Sequence, residues 1–193
     1  MRIYPMANFR SGSIKVPTQK IYAIGHEPEV LTRIYDAQIK LCILQRRLDP
    51  AVSVYAAFLQ QACSSLAMTE CVDQKNLLQV LQKILPQHET RAWFMDDVAT
   101  LVDMFCCLFD LDQIGLRLLV LNKVMCPRFH ADKVPCRLVT TYAGKGTEWL
   151  DVHGTDRLAL MTDNEYRVEQ HVIQNLNIGD VALFKGDRWE DNA

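Results

Sequence analysis

Several features are missing from these 193 residues. The seven cysteines, Cys42, Cys63, Cys71, Cys106, Cys107, Cys126 and Cys136, contain no C-x-x-C pair, and their number is odd. Neither a paired-thiol zinc knuckle nor a closed disulfide framework is therefore written into the spacing. Reduced thiols in a reducing compartment follow, several of them buried as small apolar side chains. No apolar run reaches the roughly 20 residues of a membrane-spanning helix, and Met1-Arg2-Ile3-Tyr4-Pro5 opens no apolar leader. The expectation is a soluble, cytoplasmic protein without a membrane partner. No block of Lys and Arg is present and the net charge is -2, which argues against general nucleic-acid binding, because that depends on clustered cations neutralising phosphates. Internal repeats and low-complexity tracts are absent as well.

What is present is enough apolar material, 49% of residues, to bury a core without staples. Residues 1 to about 25 mix Pro5, Gly12, Pro17 and Gly25 into an irregular arm. From Glu27, the three- and four-residue spacing of Val30, Ile34, Ala37, Leu41, Leu44 and Leu48 predicts an amphipathic helix that ends at Asp49-Pro50. A second helix is expected from Ala51 to Met68, and a third carries Leu77, Leu78, Leu81, Ile84 and Leu85 up to Pro86. Thr90 caps a fourth, with Trp93, Val98, Leu101, Met104, Phe105 and Leu108 along its apolar stripe. Trp93, Phe105 and Phe109 read as core, and Cys106-Cys107 as helix core and helix edge.

The second half changes character. Gly115 to Leu121, Val134 to Tyr142, Arg157 to Met161 and Asp180 to Phe184 are short runs of strand type, the last entered through the turn-forming Asn177-Ile178-Gly179-Asp180. The expected fold class is α+β. An N-terminal arm and helical region, 1–113, packs on a β-rich region, 114–193, with an incomplete antiparallel β core, the two forming one unit.

The chemistry is concentrated in Phe129-His130-Ala131-Asp132. On an extended backbone, positions i and i+2 project to the same side, so His130 and Asp132 can close on one metal ion. They would supply two thirds of a two-histidine, one-carboxylate triad, which leaves open positions on non-haem Fe(II). The bland reading of the same pair is an imidazole oriented by a carboxylate, with no ion between them. A zinc set of Cys126, His130, Asp132 and Cys136 is a further alternative, opposed by Pro127 and Pro135, which disturb a regular strand. Gly144-Lys145-Gly146 reads as a hairpin turn and not as a phosphate loop, with Trp149 as core. Glu148 is open to either a structural role or one as acceptor for a ligating histidine.

The block from Cys126 to Leu138, with Tyr142-Ala143-Gly144-Lys145-Gly146-Thr147-Glu148-Trp149-Leu150 and Gly179-Asp180-Val181-Ala182-Leu183-Phe184-Lys185-Gly186, resembles the bacterial family called domain of unknown function 1826. The resemblance covers most of the chain. Its H-x-D motif is similar to that of the 2-oxoglutarate- and Fe(II)-dependent oxygenases, which implies a jelly-roll, double-stranded β-helix core, Fe(II) and 2-oxoglutarate as cofactors, and oxygenase chemistry. Arg137 and Tyr142 are placed like the extended strand and the tyrosine near the cosubstrate in that superfamily. The family's association with zinc-responsive gene neighbourhoods implies a connection with metal homeostasis, and Zn(II) binding without catalysis is the alternative function. In H-x-D oxygenases the second histidine follows a strand like Gly179 to Phe184, and here the sequence ends at Ala193 before it. His171 is then the candidate third ligand and His153 a weaker one. The substrate, small molecule or protein, is left open.

Overall fold

The structure, a computed structural model, describes residues 20–121, 129–151 and 172–190. The first strand, β1 (Tyr22–Gly25), leads through a 3-10 helix (Pro28–Tyr35) into β2 (Leu41–Leu44), and the two strands pair in parallel. This corrects the helix expected from Val30 to Leu48. Leu31 and Ile34, three apart, bury the inner edge of the 3-10 turn, whose period is three. Beyond it, Leu41-Cys42-Ile43-Leu44 is buried at every position, the pattern of a strand covered on both faces. A short continuous apolar run fits strand and helix templates alike, so its spacing misleads. Ala37, assigned to the helix stripe, is exposed.

The first α-helix, α1 (Pro50–Ala62), starts where the sequence requires. Asp49 accepts from the Ala51 N–H at 2.7 Å, and Pro50 occupies a position where its missing N–H costs nothing. It ends six residues before the expected Met68, which is instead a buried member of β3 (Ala67–Val72). Helix α2 (Leu77–Ile84) forms as expected, and α3 (Arg91–Phe109) follows without a side-chain cap from Thr90. Asp110 closes α3 in the left-handed conformation, φ 52°. Trp93 is 56% exposed and is not core, a second correction: Phe94 takes the inward position beside it. Phe105 and Phe109 pack on the core, Cys106 is buried and Cys107 is exposed.

β4 (Ile114–Leu119) pairs antiparallel with β3, from Val72 opposite Ile114 to Ala67 opposite Leu119. The remaining strands are β5 (Cys136–Thr140), β6 (Glu148–Leu150), β7 (Ile173–Asn175) and β8 (Val181–Lys185). A four-stranded sheet runs in the order β1-β2-β8-β5, with β8 antiparallel to both neighbours, and β6 and β7 form a separate ribbon. One face of the large sheet, with Ala23, Cys42, Leu44, Val181 and Leu183, packs on Leu31, Ile34 and Leu101. On the other face, Leu41, Ile43 and Ala182 pack beneath Trp149 and Leu176 of the ribbon region.

The expected mixture of helix and sheet is therefore present. The jelly roll is not formed among the described residues: the three sheets are open, none closes into a barrel, and β1–β2 is parallel. The strand expected at Arg157–Met161 lies outside the described residues. No described helix is long and apolar enough to cross a membrane.

Candidate functional site

His130 and Asp132 do not lie on a strand. They belong to a loop that has no regular structure until β5 begins at Cys136, so alternation along a pleat is not what brings them together. The turn after β8 fastens this loop by its backbone. Gly186 N–H donates to Pro135 O at 2.8 Å, Asp187 N–H to Asp132 O at 2.8 Å, and Arg188 N–H to Val134 O at 3.4 Å. So close is the approach that a Cβ on Gly186 would stand 1.9 Å from Val134 O and 2.5 Å from Asp132 O, well inside van der Waals contact. Only glycine fits there without moving the loop.

Held in this way, His130 Nε2 stands 3.5 Å from Asp132 Oδ1, and Arg137 Nε stands 3.0 Å from Asp132 Oδ2. The His130 side chain is 54% exposed and that of Asp132 22%, so the pair faces solvent from a fixed base. Arg137 starts from β5, directly opposite Phe184 of β8, which anchors its backbone.

Tyr142 has different partners. Its hydroxyl donates to Asp97 Oδ2 at 2.7 Å, and Arg46 binds both oxygens of the same carboxylate, at 2.5 and 2.9 Å, while its Nε donates to Gly179 O at 2.9 Å. Burial first, and then the Asp97 charge, push the Tyr142 phenol well above its ordinary range. It is therefore a hydrogen-bond donor in a lock that joins α3 to the segments that follow β2 and β5. Gly179, φ 88°, makes the turn that presents its carbonyl to Arg46. An open cleft of about 740 Å³ adjoins Arg46, lined also by His26, Gln45, Arg47 and Asn177. Asp97 already neutralises Arg46 there.

Of the five residues expected in the site, His130, Asp132 and Arg137 converge, Tyr142 bonds elsewhere, and His171 lies outside the described residues, as do His153 and Cys126. The four-residue zinc set is corrected at Cys136. That thiol packs into the core on the helical side of the sheet, and burial pushes it up to about 12. Arg137, next along β5, projects to the opposite face and toward Asp132. Glu148 is engaged by Lys145 at 2.5 Å, and Trp149 is buried edge-on against Tyr22 with ring centres 5.0 Å apart. Among the described residues, no group of three His, Cys, Asp or Glu side chains is placed to hold a metal ion.

Sequence reasoning missed Gly186 and the Arg46–Asp97 pair. The strand from Asp180 to Phe184 was read, and Lys185-Gly186 closed the block that carries the family resemblance, but the steric demand at Gly186 was not seen. Asp97 follows Asp96 beside the apolar stripe of α3, and nothing in the local sequence tells which of the two carboxylates has a distant partner.

A family model, protein of unknown function (DUF1826), matches residues 25–193. No curated protein and no solved structure matches the chain.

Proposed function

The chain belongs to the DUF1826 family, which assigns it no activity, and we infer from the site itself that it binds a divalent cation through His130 and Asp132. The observation that carries this reading is the 3.5 Å between Nε2 and Oδ1. It exceeds the roughly 2.7–3.2 Å of a good N–H···O hydrogen bond, so this is a poor direct pair. Two donors each about 2.0–2.1 Å from a tetrahedral zinc ion stand about 3.4 Å apart, which is nearly the separation found here. The donor chemistry fits as well, since imidazole nitrogen with one carboxylate oxygen suits zinc and its neighbours. His171 is the side chain proposed to complete the ligand set, with water in the remaining position.

A cation held in this way can act as a Lewis acid toward a coordinated oxygen. The H-x-D resemblance would extend the reading to an Fe(II)- and 2-oxoglutarate-dependent oxygenase with Arg137 and Tyr142 near the cosubstrate. Two observations favour the non-catalytic form, a zinc-binding or interaction protein connected with metal homeostasis. The described strands make open sheets and no barrel, and the Tyr142 hydroxyl is committed to Asp97.

Titration of metal-free protein with Zn(II) tests the reading. An ion bound only by the folded state raises stability by about 2.7 kcal/mol at a hundred times its dissociation constant, so the melting temperature climbs with Zn(II). In His130→Ala and Asp132→Ala the rise is lost. Anaerobic Fe(II) with 2-oxoglutarate is the second arm: a visible charge-transfer band that His130→Ala abolishes would establish the oxygenase form. No stabilisation by either metal would remove the cation reading altogether.

A further inference from the structure

The other end of the large sheet carries a crevice that the cation reading does not use. β1 and β2 run parallel, so their carboxyl ends lie side by side, and Val181 at the start of β8 stands opposite Leu44 at the end of β2. In open sheets with parallel strands, ligands sit in the crevice outside those carboxyl ends. The 740 Å³ cleft occupies that place, walled by His26 after β1, by the segment after β2 and by the turn that leads into β8. His130 and Asp132 precede Cys136, which faces Lys185 at the opposite end of the sheet. The cleft's walls are fixed in advance. Asp180, itself buried, accepts from the Asn177 backbone N–H at 2.8 Å and from its side-chain amide at 3.1 Å, which holds the turn. A Cβ on Gly179 would stand 2.9 Å from Leu48 Cγ and 3.3 Å from Arg46 O, so the turn lies directly against the segment after β2. A largely pre-formed crevice of this size has the dimensions of a small-molecule site.

Its polar groups divide into those already satisfied and those that are not. Asp180 is the one acid among the described residues that lines the cleft, and it is engaged by Asn177. Behind the wall, Asp97 is bound by Arg46 and Tyr142. Asp49 caps α1 through the Ala51 N–H, so the helix N-terminus is not the seat of a ligand. Arg47 differs from all of these. It is exposed at the cleft wall, and among the described residues its guanidinium has no ion-pair or hydrogen-bond partner. The side-chain amide of Gln45, in the same wall, is likewise without one, while Leu48 and the half-exposed Ile178 add apolar surface. A guanidinium is permanently charged, and its planar fork matches carboxylate or phosphate through paired N–H donors. With the carboxylates of the wall engaged, the anion that completes Arg47 comes from solution. We propose that the cleft binds a small molecule bearing an oxyanion group, carboxylate or phosphate, which sits on Arg47 and Gln45 with its apolar part against Leu48 and Ile178.

The experiment is a proton–nitrogen NMR titration of the whole chain with inorganic phosphate and, separately, with acetate. Wild type is compared with Arg47→Gln, Arg47→Lys and Arg117→Gln, the last a control that removes the same charge from an exposed position of β4. Wild type is expected to show saturable shifts in the side-chain amides of Gln45 and Asn177 and in the backbone amides of residues 45–48. Arg47→Gln weakens the apparent affinity at least about tenfold, the loss expected for hydrogen bonding to a charged group. Arg47→Lys keeps the charge without the fork and weakens it less. Arg117→Gln leaves it unchanged. Tighter binding of phosphate assigns a phosphorylated ligand, and tighter binding of acetate a carboxylic acid. Arg47 is exposed, so replacing it leaves the core intact, and Zn(II) binding at the other end of the sheet is a separate measurement. Failure of both anions to saturate, saturable shifts confined to other residues, or equal weakening in Arg47→Gln and Arg117→Gln overturns the site.

Discussion

Gly186 fixes the position of Asp132 more directly than any bond that the Asp132 side chain makes. Two carbonyl oxygens, of Val134 and Asp132, occupy the space where a side chain would begin. Gly186→Ala must therefore push the loop away from the β8 turn and stretch the three backbone hydrogen bonds that join them. Urea denaturation is expected to show a loss of about 1–3 kcal/mol, the range for overpacking at a tight site, and Zn(II) affinity is expected to fall with it. Stability unchanged from wild type would show that the loop is not clamped there. At this scale the H-x-D pair was legible, because chemistry announces itself by residue type. The role of Gly186 was not, because its cause is the backbone of a segment distant in sequence. Tyr142 stood out as a site candidate, and its true partner, Asp97, lies on a helix that local spacing cannot connect to it.

The elements that were read correctly are those bounded by punctuation. Pro50 and Asp49 start α1, Pro86 follows α2, and the turn at Asn177 to Asp180 introduces β8. The misreading at β2 came from four consecutive apolar residues with no turn signal between them and the 3-10 helix other than neighbours of mixed type. Tertiary contacts decide that segment, since β2 pairs with β1 on one side and β8 on the other. Where three elements meet, Asp97 holds α3 to Arg46 after β2 and to Tyr142 after β5. Both charged side chains are at most one-fifth exposed, so removing one leaves the other largely buried and uncompensated. Asp97→Ala should cost about 3 kcal/mol, with the denaturant slope unchanged. Asp97→Asn, which can still accept from Tyr142, should lose less. Near-equal stability of all three proteins would show that the lock is ornamental to the fold.

Across the whole molecule, one open sheet has helices on one face and a β ribbon on the other, and the strand that carries Arg137 lies at its edge. That layering buries Cys42 and partly buries Cys136 on the helical side, where loss of solvent raises both thiols to about 12 from an ordinary value of 9.0. The sign follows from the unfolded chain ionising first. The two thiols contribute stability that is intact below about pH 9 and is lost as pH rises toward 12, with a slope of up to about 1.4 kcal/mol per pH unit for each. Urea midpoints measured from pH 8 to 10.5 should decline, and Cys42→Ala should decline less steeply than wild type. Parallel slopes would mean that Cys42 is not the titrating group. The class of fold, helices with a partial sheet, was legible from composition and period. Its topology was not, because a parallel β1–β2 pair and a detached β6–β7 ribbon depend on long-range pairing.

The most direct measurement is a crystal structure of the protein grown with Zn(II), with anomalous scattering recorded at the zinc edge. The account predicts a peak about 2.0–2.2 Å from both His130 Nε2 and Asp132 Oδ1, with Arg137 still on Oδ2. A map without a peak between them, or with the metal bound at other side chains while these two pair directly, would contradict it.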